Sequence, residues 1–235
     1  MQNIVIAIDG YSGCGKSSTA KAVARKLGYT YIDSGAMYRA ATFHFLNQKV
    51  DLNNTEEVVK QLKKIHISFK KNPQTGKQET FLNGENVEEA IRSMEVSNFV
   101  SEVSKIKAVR EDLVSHQQQL GKAKGVVMDG RDIGTVVFPK AELKVFMTAD
   151  LEIRAKRRQK ELQDSGKEVT LEEIIRNLSE RDKIDSTRAE SPLLRASDAV
   201  EVDTSFLGFE EQVDRIVDLA NERIGRYTKA YGSNH

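Results

Sequence analysis

The chain has 235 residues, 39% hydrophobic and 30% charged, which is enough to bury a full core without disulfides and unlike a disordered chain. With 36 basic against 35 acidic residues the net charge is +1, so no overall field is there to gather nucleic acid or an anionic membrane. The one cysteine, Cys14, rules out an internal disulfide and a cysteine-based metal cluster, and the reducing cytoplasm is the expected compartment.

Residues 4–8 form a β-branched run ending at Asp9-Gly10, the pattern of a strand buried on both faces. The run is too short for a signal peptide or a membrane span, and no other stretch reaches about 18 apolar residues. Residues 17–27 carry Ala20, Val23, Ala24 and Leu27 at helical spacing and close on Gly28. A second strand is predicted over 29–32, then a turn at Asp33-Ser34-Gly35 and a helix over about 36–47.

The texture changes over 53–119. Leu62, Ile65, Ile67 and Phe69 lead to a polar turn over 70–77, and residues 80–82 then run into Asn83-Gly84, which predicts a small hairpin. Residues 85–119 read as helical and polar. The block is expected to be an insertion that does not extend the main sheet.

The βα rhythm returns with a strand at 125–128, then Asp129-Gly130-Arg131-Asp132, and another strand at 143–147. A very basic helix is predicted over 151–164, a further helix over 171–184, a short strand at 199–202 and an amphipathic helix over 209–224. Five strands separated by helices imply an α/β fold, a doubly wound five-stranded parallel sheet with helices on both faces.

Gly10-Tyr11-Ser12-Gly13-Cys14-Gly15-Lys16-Ser17 fits G-x-x-x-x-G-K-[ST], a phosphate-binding loop, between the first strand and the first helix. Glycines let successive backbone N–H groups curl around phosphate oxygens, and the helix N-terminus adds its dipole. Residues 10–18, from Gly10 to Ser18, are therefore assigned to ATP. Lys16 supplies charge to the β/γ-phosphates, and the Ser17 hydroxyl is placed to hold Mg²⁺.

Such a loop says that a nucleoside triphosphate binds, not what becomes of it. A GTPase needs a D-x-x-G motif, which occurs nowhere in the chain; Asp182-Lys183-Ile184-Asp185 lacks the Asn of N-K-x-D and falls on a helix. Arginines instead gather where a second phosphate-bearing substrate would need them: Arg39, Arg110, Arg131, Arg181, Arg188 and Arg195. Arg131, between Asp129 and Asp132 just past a predicted strand end, stands where ligands sit in open α/β sheets. In the run Arg154, Lys156, Arg157, Arg158, Lys160 one residue could face ATP, although charge runs usually form solvated faces. His44, His66, His116 and His235 show no metal spacing.

Over nearly its whole length the sequence resembles the bacterial cytidylate kinases. The resemblance is carried by the loop at 9–17, Asp33-Ser-Gly-Ala-Met-Tyr-Arg39, Asn83-Gly-Glu85, Val109-Arg110, the long string from Asp129 to Pro139, and Arg181-Asp-x-x-Asp185-x-x-Arg188. It implies a core at 1–52 and 120–235 with a lid around 150–190, and an inserted monophosphate-binding domain at 53–119. It implies that Ser34, Ser101, Arg110 and Asp132 surround a cytosine, that Arg39, Arg131 and Arg188 bind the acceptor phosphate, and that Arg181 and Asp185 meet the sugar hydroxyls. Lys16, Arg131 and Arg188 would be the catalytic charges. The expected reaction passes the γ-phosphoryl group of ATP, with Mg²⁺, to CMP or dCMP in a monomeric protein. A kinase of another monophosphate such as UMP, or a nucleotide-gated ATPase, is the alternative. Tyr11 and Cys14 depart from the family's common Pro and Ala, both at variable loop positions.

Overall fold

A computed structural model of the chain describes residues 3–164, 166 and 168–231. In chain order the elements are β1 (Val5–Gly10), α1 (Lys16–Leu27), β2 (Thr30–Asp33), α2 (Ser34–Asn47), α3 (Thr55–Leu62), β3 (Ile67–Lys71), β4 (Gln78–Leu82), β5 (Glu85–Asn86), α4 (Met94–Val103) and α5 (Lys107–Gly121). They continue with β6 (Val126–Gly130), β7 (Leu143–Thr148), α6 (Leu151–Asp164), α7 (Leu171–Thr187), β8 (Val200–Asp203) and α8 (Phe209–Tyr231).

The main sheet has five strands in the order β2-β6-β1-β7-β8, with β1 central and parallel to both neighbours. Alternation along β1 sends Ile4, Ile6 and Ile8 to one face, where they are fully buried with Ala20, Val23 and Ala24 of α1 and Val213, Ile216 and Ala220 of α8. Asp9 therefore projects from the opposite face. The chain reverses its direction of strand addition around β1, so the loop leaving β1 opens at the crevice where open α/β sheets hold their ligands.

Gly10 ends β1 at φ +146°, and a Cβ there would overlap the Met147 carbonyl of β7. Only glycine lets the two strands pair at this point. After β6 comes an unusual element, a π-helical turn at Ile133–Val137, in which Val137 N–H donates to Asp132 O at 3.1 Å and Phe138 N–H to Ile133 O at 2.6 Å. Lys144 of β7 closes this region by donating to Pro139 O (2.7 Å) and Asp198 (2.9 Å).

The chain divides into two compact units, Met1–Ile32 with Leu120–His235, and Asp33–Gln119. The smaller unit thus includes α2 as well as the insertion, because α2 packs on α4 and on the 3₁₀ turn at Ala90–Arg92. Within it the predicted hairpin is real: β3 and β4 pair antiparallel, and β5 adds a third strand through Asn83 and Gly84, whose φ values of 52° and 87° make a type I′ turn. Two Asn/Ser caps set its helices, Asn54 accepting from Glu57 N–H and Ser93 from Val96 N–H. Among the described residues no helix is long and apolar enough to cross a membrane.

Candidate active site

The loop from Gly10 runs into α1, whose first residue is Lys16. Lys16 is 5% exposed and its ammonium donates to Tyr11 O at 2.6 Å, inside its own loop. Burial, reinforced by Arg131, pulls its pKa below the usual lysine value. The next residue, Ser17, donates its hydroxyl to Asp129 Oδ2 at 2.8 Å, and Tyr31 of β2 donates to Asp129 Oδ1 at 2.7 Å. Asp129 stands at the end of β6 beside β1, so parallel strand pairing brings this carboxylate to the first turn of α1.

Ser12 is bonded through three of its groups at once. Its N–H donates to Asp182 Oδ1 (3.2 Å), its carbonyl accepts from Arg154 (2.9 Å), and its hydroxyl accepts from Arg131 (2.7 Å). Arg154 also donates to Asp182 at 2.6 Å and lies over the Tyr11 ring at 5.3 Å, so α6 and α7 are both fastened to the loop. Of the basic run on α6 it is Arg154 that joins the site. Arg157 turns to Thr204, and Arg158 forms an exposed pair with Glu161.

Toward the end of α7 the spacing 181, 185, 188 repeats at four and three residues, which aligns Arg181 and Asp185 on one face with Arg188, the residue that caps the helix C-terminus. Asp185 Oδ2 accepts from Arg131 Nε at 2.7 Å, and Arg188 lies 3.7 Å from Asp185 and 3.9 Å from Asp132. Burial works against the charge on Asp185, yet Arg131, Arg188 and Arg181 hold its carboxyl below the ordinary range. Arg188 is anchored by two bonds to Ser191 O, at 2.9 and 2.7 Å. Arg195, grouped with these arginines in the sequence, pairs instead with Glu201 at the surface. Spacing alone could not show that: Arg195 lies beyond the end of α7 and off its patterned face.

In the smaller unit, Ser34 is the buried first residue of α2, whose N-terminus is capped by Asp33 accepting from Ala36 N–H at 2.9 Å. Arg39 follows one turn later, its guanidinium close to Gly35. Arg110 of α5 is 3% exposed, donates to Ser104 O at 3.0 Å and lies over the Tyr38 ring at 5.3 Å. Ser101 of α4 is drawn to the same corner, since Ser104 donates its hydroxyl to Ser101 O at 2.8 Å. Arg92, which sequence reasoning passes over, reaches Asp33 at 3.5 Å and Glu88 at 2.6 Å.

Sequence reasoning also misses Asp182, Tyr31 and Asp9 as members of the site. Asp182 has a legible signal, because it precedes Asp185 by three residues and so shares its helix face. Tyr31 and Asp9 have none, because their roles depend on which strands pair. No group of three or more His, Cys, Asp or Glu able to hold a metal occurs among the described residues. His44 bonds Gln61, His116 faces Asp112 at 3.6 Å, and His235 lies outside the described residues. The oxygen donors that fit Mg²⁺ are the Ser17 hydroxyl with the Asp129 carboxylate behind it, a sparse set of the kind that leaves the rest of the shell to phosphates and water.

A family model described as cytidylate kinase matches residues 6–222. A cytidylate kinase of Cytophaga hutchinsonii is 54% identical over 220 residues, 94% of each chain, and one of Phocaeicola vulgatus is 55% identical over 215 residues, 90% of this chain and 94% of the other. Among solved structures, an uncharacterized protein from Eubacterium ventriosum superimposes with a TM-score of 0.50 at 11% identity, covering 94% of this chain and 99% of that one, a likeness of fold alone. The phosphate loop, the Asp129–Pro139 string and the patterned face of α7 thus stand in a chain that belongs to the cytidylate kinase family.

Proposed function

We propose that the protein transfers the γ-phosphoryl group of ATP to CMP or dCMP, giving CDP or dCDP and ADP. The observation that carries this reading is the position of Arg131. One guanidinium donates both to Ser12 of the phosphate loop and to Asp185 of the acceptor-side face, each at 2.7 Å. A single cation that links the phosphate loop to that face supports a reading in which it neutralises the phosphoryl group passing between two phosphates.

An acceptor phosphate oxygen is already ionised, so the chemistry needs positioning and charge neutralisation rather than a strong general base. Lys16, Arg131 and Arg188 are assigned that neutralising charge. Residues 10–18 hold ATP, with Mg²⁺ bound alongside it by Ser17 and Asp129; the ion supplies further charge to the phosphate oxygens. Asp132 accepts from the cytosine amino group, and Arg110 donates to its ring acceptors, with Ser34 and Ser101 also assigned to the base. Arg39 joins the acceptor-phosphate arginines, and Arg181 and Asp185 take the sugar hydroxyls.

Initial rates with CMP, dCMP, UMP, AMP and GMP at fixed ATP and Mg²⁺ test the reading. CMP and dCMP should exceed the purine monophosphates in kcat/KM by about 100-fold or more, the discrimination expected of a site built to hydrogen-bond one base. Equal turnover of all five, or ATP hydrolysis indifferent to any monophosphate, would overturn it.

A further inference from the structure

Asp9 has no role in the reaction described so far, yet it links the phosphate loop to the turn after β6. It immediately precedes Gly10, the first residue of the phosphate loop, and is 4% exposed. Its Oδ1 accepts from Ile133 N–H at 2.8 Å and its Oδ2 from Gly134 N–H at 2.7 Å. These are the first two N–H groups of the π-helical turn, which lie too early in it to find a partner within the turn. The residue placed to cap them by sequence is Asp132, and its side chain makes no capping bond. Asp9 caps the turn in its stead, from a different strand.

We propose that Asp9 is a positioning residue for the acceptor: by capping the Ile133–Val137 turn from β1, it sets the Asp132 carboxylate toward substrate instead of toward its own backbone. The backbone of Asp132, at φ −144° and ψ 24°, lies outside the regular helical and extended wells, so it needs such external support. Close packing tightens the arrangement. A Cβ on Gly134 would come within 3.2 Å of the Lys144 stem and 3.3 Å of Asp9 Oδ2, so the turn is pressed against the carboxylate. The Asp132 side chain is left 3.9 Å from Arg188, on the acceptor-side face.

The inference rests on the reading in which Asp132 meets the cytosine, and a double-mutant cycle separates the two. KM values for CMP and ATP are measured for the parent, Asp9→Asn, Asp132→Ala and the double variant. Asparagine keeps the shape of Asp9 but turns one acceptor into an NH₂ facing a peptide N–H. Asp9→Asn should raise the KM for CMP about tenfold in the parent, the loss expected for one buried charge-assisted bond. It should add less than about twofold in the Asp132→Ala background, and change the KM for ATP less than about twofold in either. A similar rise in both backgrounds, or an ATP KM that rises in step, would assign Asp9 a general structural role and overturn the proposal. Asp132→Ala with an unchanged KM for CMP would instead sink the cytosine assignment, and this inference with it. Should Asp9→Asn not fold, Gly134→Ala, which pushes the turn off Asp9 from the other side, runs the same cycle with the same deciding outcomes.

Discussion

Burial lifts the carboxyl of Asp9 from 3.8 to about 7, against the pull of its two N–H partners and of Lys16 and with a smaller push from Asp132. Such a group favours the folded state most when protonated. Its contribution is complete below the unfolded value near 4 and is lost as pH rises through about 7. A rise of that size corresponds to roughly 4 kcal/mol between the two protonation states. Asp9→Asn should therefore gain stability relative to the parent between pH 5 and pH 8, by up to a few kcal/mol, in urea unfolding at the two pH values. A gap that stays constant with pH would show that Asp9 does not titrate in this window. The charge that caps the turn is thus kept at a cost to stability, a trade familiar from sites that need a particular geometry.

At the scale of elements, α6 and α7 are joined to the phosphate loop by Arg154 and Asp182 rather than by a broad apolar face. Their own small core is Ala155, Ile174 and Leu178, with partly buried neighbours such as Leu171. Arg154→Lys keeps the charge but cannot reproduce a fork that serves Ser12 O, Asp182 and Ala149 O together. The KM for ATP should rise about tenfold, while the KM for CMP stays within about twofold. Steady-state kinetics check this, and equal rises for both substrates would mean that the fork supports the whole site instead of the loop. Elements also mark where the sequence stops being legible. The helix α6 falls on the expected 151–164 because helix formers and charge spacing agree there. The helix α3 is missed because it is only eight residues long: Asn54 caps it and Val58 and Leu62 are buried at i, i+4, a pattern too short to stand out in a polar stretch. The π-helical turn at 133–137 has no propensity of its own and exists because Asp9 and Lys144 hold it.

For the molecule as a whole, the phosphate loop and its flanking strand and helix are legible because one motif, one apolar run and one amphipathic helix coincide. The order of the strands is not, because β6 and β7 reach β1 from more than a hundred residues away and parallel pairing leaves no local mark. The contacts that depend on that order are hidden for the same reason: Ser17 with Asp129, Asp9 with the turn, Arg131 with Ser12. Stability, in contrast, should sit away from these polar links, in the core between the sheet and the α1/α8 layer. Ile216 of α8 is fully buried there, and Ile216→Ala should cost about 3 kcal/mol in urea unfolding while leaving both KM values unchanged. A loss below about 1 kcal/mol would mean that this layer yields and refills the space.

The first glycine of the phosphate loop carries a different lesson from the others. At Gly10 it is the carbonyl of the adjacent strand, not a nucleotide, that forbids a side chain. A variant at this position would lose activity through a misaligned sheet, and its inactivity would say nothing of phosphate chemistry. For anyone rebuilding the site toward another donor, Ser12, whose hydroxyl holds Arg131, belongs to the chemistry, whereas Gly10 belongs to the architecture.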